Sequence, residues 1–146
     1  LHNPLRANGW LLNASAAKAA AMNSILYVMS GGAIGAAMRY GLSRAIPISA
    51  GGWPWATFMA NIFGGLLMGV LAAWLLRGNN AAEPLRLFLG VGLLGGFTTF
   101  SAFSLEMAQM VQRGQGMMAA GYAAASVLLA LGAVFAGMML ARTILT

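Results

Sequence analysis

About twenty residues of α-helix are needed to cross the roughly 30 Å hydrocarbon core of a bilayer. Four apolar runs in this 146-residue chain reach that length: Ile25–Ala45, Trp55–Leu76, Leu87–Gln112 and Met117–Ala141. With 60% hydrophobic and 7% charged residues, a water-soluble domain of this size would lack the polar surface to cover itself. The expected fold class is therefore all-α: an integral membrane protein of four transmembrane helices. Polar punctuation agrees with these limits. The first run ends at Arg44 and Pro47, and the second follows the interfacial stretch Gly51-Gly52-Trp53-Pro54-Trp55 and closes at Arg77. A turn containing Asn79, Asn80, Glu83, Pro84 and Arg86 leads to the third, and Arg113-Gly114-Gln115-Gly116 leads to the fourth, which stops near Arg142. Such short connections make neighbouring helices antiparallel. Residues 22–146 form a single four-helix domain with no soluble part, so the function is expected inside the bilayer.

The segment before Met22, LHNPLRANGWLLNASAAKAAA, has no continuous apolar core. Residues 1–21 are expected to be a non-native or disordered extension, with Met22 as the native start. The other reading is a short interfacial helix whose Trp10, Leu11 and Leu12 touch lipid.

Chemistry-bearing residues are scarce. There is no cysteine, one histidine near the N-terminus, and two acids, Glu83 and Glu106. This set excludes a thiolate metal site and leaves almost nothing for a hydrolytic or acid–base centre, so an enzyme is not expected. The net charge of +6 comes from Lys and Arg spread singly at the ends of apolar runs. That pattern anchors helices in a lipid bilayer and does not track nucleic-acid phosphates. From Met22 onward, Arg77, Arg86 and Arg142 fall on one side of the membrane, and Arg39, Arg44 and Arg113 fall at the other. Three against three nearly abolishes the positive-inside bias. The balance points to insertion in both orientations and to an antiparallel, dual-topology homodimer; Arg6 and Lys18 would instead favour a single topology.

Gly95-Gly96-Phe97-Thr98-Thr99-Phe100-Ser101-Ala102-Phe103-Ser104 lies at the middle of the third run. Two glycines followed by two β-branched residues are poor helix formers, so this helix is expected to break near 95–99 at mid-membrane. A break there is tolerated only where protein or a cavity surrounds it, and it offers carbonyls to a cation and N–H groups to an anion. Phe100 and Phe103, three apart, share a face, as do Ser101 and Ser104. The positive edges of two phenyl rings suit a small anion without trapping it as a fixed charge would. Asn61 is the one amide of the second run and should face protein or water, either lining a path or clamping two backbones. Tyr122 and Ser126, four apart, align on the fourth helix as path hydroxyls or as helix glue. Arg39 is expected to snorkel or to concentrate anions in a vestibule, and Glu106 to pair with Arg39 or another arginine. Small residues at Gly31 and Gly35, Gly65 and Gly69, and Gly132 and Ala136 mark close helix contacts.

The motifs GGAIGAAMRY (31–40), Asn61 followed by Gly64-Gly65, and GGFTTFSAFS with Glu106 beyond resemble the small bacterial fluoride channels called Fluc or CrcB. The resemblance runs from about Ile25 to the end of the fourth helix. It implies a passive fluoride channel of the bacterial cytoplasmic membrane, protecting the cell from fluoride. It also implies two antiparallel subunits with two pores and a central structural sodium ion. Carried over, it implies fluoride contacts from Asn61, Phe100 and Phe103, and a polar track including Tyr122, Ser126 and the hydroxyls of Thr99, Ser101 and Ser104. Sodium would be held by the carbonyls of Gly95 and Thr98. Ala102 departs from the pattern, where a Thr or Ser is often found, so one hydroxyl of the track is missing. The alternative is a small dual-topology multidrug exporter. By analogy, such exporters need a carboxylate in the first helix, and here that helix carries Arg39 and no acid.

Overall fold

The structure is a computed structural model describing residues 4–48, 52–76 and 83–144, with side chains from residue 17 onward. Among these residues every regular element is helical. The elements are α1 (Pro4–Ala45), α2 (Trp55–Leu75), α3 (83–97), α4 (Phe100–Gln112) and α5 (Gly116–Ile144). Four stretches are long and apolar enough to span a membrane: Ala17–Ala45, Trp55–Leu75, Glu83–Gln112 and Gly116–Ile144. The third comprises α3 and α4 together.

The first span is longer than its apolar run. The alanine-rich stretch before Met22 has high helix propensity, and α1 runs back through it to Pro4. The proposed lipid contacts of Trp10, Leu11 and Leu12, and the roles of Arg77, Asn79 and Asn80, fall outside the described side chains and residues. At the turn between α4 and α5, Gly114 has φ 75°, a conformation that favours glycine. The N–H groups of Gly114 and Gln115 donate back to the carbonyls of Val111 and Met110, so α4 ends in a Schellman motif.

Helix α2 packs most extensively on α5, and α1 on α3, with α4 lying against α5. Both large contacts bring backbone against backbone. A Cβ on Gly31 would strike the carbonyl oxygen of Phe88, and one on Gly35 that of Leu93. On the other contact, Gly69 faces the carbonyl of Val134 and Gly137 that of Leu66. Without a hydrophobic drive in lipid, this close approach is how helices gain packing energy. Gly132 meets nothing within 4 Å, so the expected contact at Gly132 and Ala136 is replaced by one at Gly137.

The third span is the irregular one. Its first half consists of a turn at Glu83–Leu85, a π-helical stretch at Arg86–Leu94 and a last turn at Gly95–Phe97. Thr98 (φ −79°, ψ 156°) and Thr99 (φ −153°, ψ 130°) are extended, and the helix restarts at Phe100. The mid-span break thus falls on the threonines. The glycines remain helical, and Gly96 serves packing: a Cβ on it would lie 2.7 Å from the carbonyl oxygen of Gly32.

Candidate functional site at the helix break

Following each backbone group through the break shows what the site offers. The N–H of Thr98 still reaches the carbonyl of Leu94 at 2.9 Å, as does the Thr98 hydroxyl. The Thr99 N–H has lost its helical acceptor and donates instead to Oδ1 of Asn61 at 2.9 Å. Asn61 Nδ2 returns a bond to the Thr99 carbonyl at 3.2 Å. One amide therefore imitates the backbone of a missing strand, and Asn61 is a clamp on the break. Thr99 caps α4, its hydroxyl accepting from the N–H of Ala102 at 3.2 Å. The N–H groups of Phe100 and Ser101, in the first turn of α4, have no intrahelical acceptor. On the carbonyl side, Arg39 Nε donates to Gly96 at 3.1 Å. No donor among the described residues reaches the carbonyls of Gly95 and Thr98.

An open cleft of about 570 Å³ lies against this break. Asn61, Gly95, Thr98, Thr99, Phe100, Phe103 and Ser126 line it, with α5 supplying an apolar wall. The two phenylalanines have different surroundings. Phe103 is 4% exposed and packs on Tyr122, whereas Phe100 is 77% exposed; their ring centroids are 5.7 Å apart. Ser126 is buried, and its Oγ has no hydrogen-bond partner of good geometry. Ser101 and Ser104 are not part of the lining. Ser104 donates to the carbonyl of Phe100 at 2.9 Å, and Ser101 lies 3.3 Å from the Thr99 hydroxyl.

A second polar group lies beyond Phe103. The Thr57 hydroxyl donates to one Glu106 oxygen at 2.6 Å, and the Tyr122 hydroxyl donates to the other at 2.7 Å. The expected pairing of Glu106 with an arginine is thus corrected. Arg39 is occupied by a carbonyl at the break, and the ion pair found among the described residues joins Arg86 to Glu83. Two hydroxyl donors satisfy this half-buried carboxylate without a cation. Tyr122 is fully buried among Trp53, Phe58 and Phe103. Sequence reasoning missed Thr57 and Trp53. For Thr57 the signal was register: it lies in the first turn of α2, four residues before Asn61, and so shares its face, whereas Trp53 precedes the helix.

The profile of the family described as "CrcB-like protein, Camphor Resistance (CrcB)" matches residues 26–138. The chain belongs to that family. Among curated relatives, the "Fluoride-specific ion channel FluC" of Caulobacter vibrioides (strain NA1000 / CB15N) is 52% identical over 125 residues, covering 84% of this chain and 98% of the relative. The protein of that name in Hyphomonas neptunium is 51% identical over 128 residues with the same coverage. The one in Rhodospirillum centenum is 47% identical over 127 residues, again covering 84% and 98%. Four spans and membership of the CrcB family make this a multi-pass bacterial membrane protein and not an enzyme.

Proposed function

We propose that this chain forms a passive fluoride channel of the bacterial cytoplasmic membrane. The observation that carries this reading is the cleft at the break, whose lining brings Ser126 together with Asn61, Thr99 and Phe103. A cleft lined by neutral amide and hydroxyl groups suits a small, strongly hydrated ion. The free N–H groups of Phe100 and Ser101, at the positive end of α4, choose an anion. The ring edges of Phe100 and Phe103 add weak positive potential. Neutral groups let the ion leave again, as conduction requires. Asn61, Phe100, Phe103 and Ser126 are the fluoride contacts in this reading, with Thr99, Ser101, Ser104 and Tyr122 continuing the polar track. Arg39 adds fixed positive charge beside the break, and Glu106 anchors the hydroxyl of Tyr122. Relatives named as fluoride-specific channels support the choice of fluoride.

The active form in this reading is an antiparallel homodimer with two pores. The open side of the cleft, the exposed Phe100 and the balanced arginines favour a second, inverted copy. Gly95 and Thr98 line the cleft and their carbonyls have no donor among the described residues, and neutral oxygens of this kind fit a structural sodium ion. No carboxylate is present among them to drive transport of that cation.

Purified protein in liposomes should release fluoride and retain chloride. Release no faster than from empty liposomes, with the protein folded, would overturn the channel reading. Single cysteines in place of Arg113 should be labelled from both sides of the membrane in cells; labelling from one side would remove the antiparallel dimer. Replacing sodium by a large organic cation should lower dimer stability, and no change would remove the cation site.

A further inference from the structure

Trp53 and Trp55 flank the start of α2 and behave differently. Trp55 is 52% exposed, as expected of an aromatic residue at a membrane interface. The Nε1 of Trp53 is buried and has no acceptor among the described residues. A buried indole N–H ordinarily finds a partner, and one left unmade is costly. Glu106 accepts hydroxyls from Thr57 and Tyr122, one on each oxygen, and the Trp53 N–H is not among its donors.

The place of this donor in the fold gives it a use. The Trp53 ring meets Tyr122 nearly at right angles, with centroids 5.2 Å apart, and Phe58 likewise at 5.5 Å. Tyr122 also packs on Phe103 at 5.2 Å, and Phe103 lines the cleft at the break. Phe103, Tyr122 and Trp53 therefore form one aromatic row leading from the cleft to the end of the bundle where α2 begins. An indole N–H only donates, so it selects an acceptor and rejects a cation. It carries no full charge, so it can release what it binds.

We propose that the Trp53 indole N–H is a further anion-binding site, taking fluoride at the end of the aromatic row remote from the break. The proposal rests on the channel reading for the identity of its ligand. The test uses the full chain in lipid nanodiscs with ¹⁵N-labelled tryptophan. The four indole signals are assigned by changing Trp10, Trp55 and Trp74 to Phe one at a time, which leaves Trp53 in place. Sodium fluoride should move the Trp53 N–H proton signal downfield in a saturable way, and sodium chloride should not. In liposomes, Trp53→Phe keeps an aromatic ring and removes the donor. Its fluoride efflux should fall on the order of tenfold, as expected for one lost hydrogen bond to a charged ligand. A Trp53 signal indifferent to fluoride would mean that the N–H rests on a neighbouring ring face, and would overturn the site, as would wild-type efflux from Trp53→Phe. The two readings separate cleanly. Flux without a shift removes this site and leaves the channel; a fluoride-specific shift without flux leaves the site and removes the channel.

Discussion

The two halves of the third span are held in opposite ways. Before the break, α3 meets α1 through backbone: Gly31 and Gly35 of α1 rest on the carbonyls of Phe88 and Leu93, and Gly96 rests on Gly32. After it, α4 is held by side chains, with Phe103 against Tyr122 and Glu106 between Thr57 and Tyr122. Asn61 stands at the junction and bonds both backbone groups of one residue, the N–H and the carbonyl of Thr99. Backbone contacts leave no room for a substitution to relax into, whereas side-chain contacts can be trimmed. The first half should therefore act as a fixed support, and the second as the part whose chemistry can be tuned.

The largest effect is expected at the junction. Asn61→Asp keeps an acceptor for the Thr99 N–H but removes the donor to its carbonyl and adds a negative charge beside the cleft. Fluoride efflux from liposomes should fall to the background of empty vesicles. Efflux near wild type would show that the break is held without the clamp and that the path lies elsewhere. Next in size is Gly35→Ala, whose added methyl would meet the Leu93 carbonyl and lie 2.8 Å from the Phe97 nitrogen. Overpacking of this kind costs about 1–3 kcal/mol, which reversible unfolding in mixed detergent should register. A neutral result would mean that α1 and α3 slide apart easily, and the contrast between the halves would fail.

How much of this was legible follows the same division. The four spans could be read because bilayer thickness sets helix length, whatever the helices touch. The break was readable from Gly95 to Thr99, but sequence assigns it to poor helix formers in general. In the fold Gly95 and Gly96 stay helical, with Gly96 close against Gly32, and Asn61 takes up the N–H that extension frees at Thr99. The Glu106 partners were not readable, since Thr57 lies 49 residues away and no period in either helix states their mutual register. For the same reason, four-residue spacing proposed Gly132 where α5 presents Gly137. Spacing gives a face; it does not tell which neighbour that face meets.

The phenylalanine pair separates function from support within the second half. Phe103→Ile should impair fluoride efflux and also cost about 1–2 kcal/mol, because its buried ring leaves a gap beside Tyr122. Phe100→Ile should impair efflux while changing monomer stability by less than about 0.5 kcal/mol, since its ring is largely exposed. Unimpaired efflux in both variants would remove the ring edges from the path.

The smallest effect expected is at Thr57, and it bears most directly on whether the second half is tunable. Thr57→Val is close in shape and removes only the hydroxyl that donates to Glu106, and Tyr122→Phe removes the other. Side-chain hydrogen bonds between membrane helices average about 0.6 kcal/mol and reach about 1.7, so each single change should cost about 1 kcal/mol. The two hydroxyls bind different oxygens of one carboxylate. After the first is lost, the second still satisfies part of the half-buried carboxylate; after both are lost, no described hydrogen-bond donor remains on it. The double variant should therefore cost more than the two singles added together, by at least about 0.5 kcal/mol. Unfolding free energies of the four proteins, measured in one detergent mixture, give that coupling term directly. Simple additivity would mean that Glu106 is not a shared acceptor, and that α4 is held by the packing of Phe103 alone.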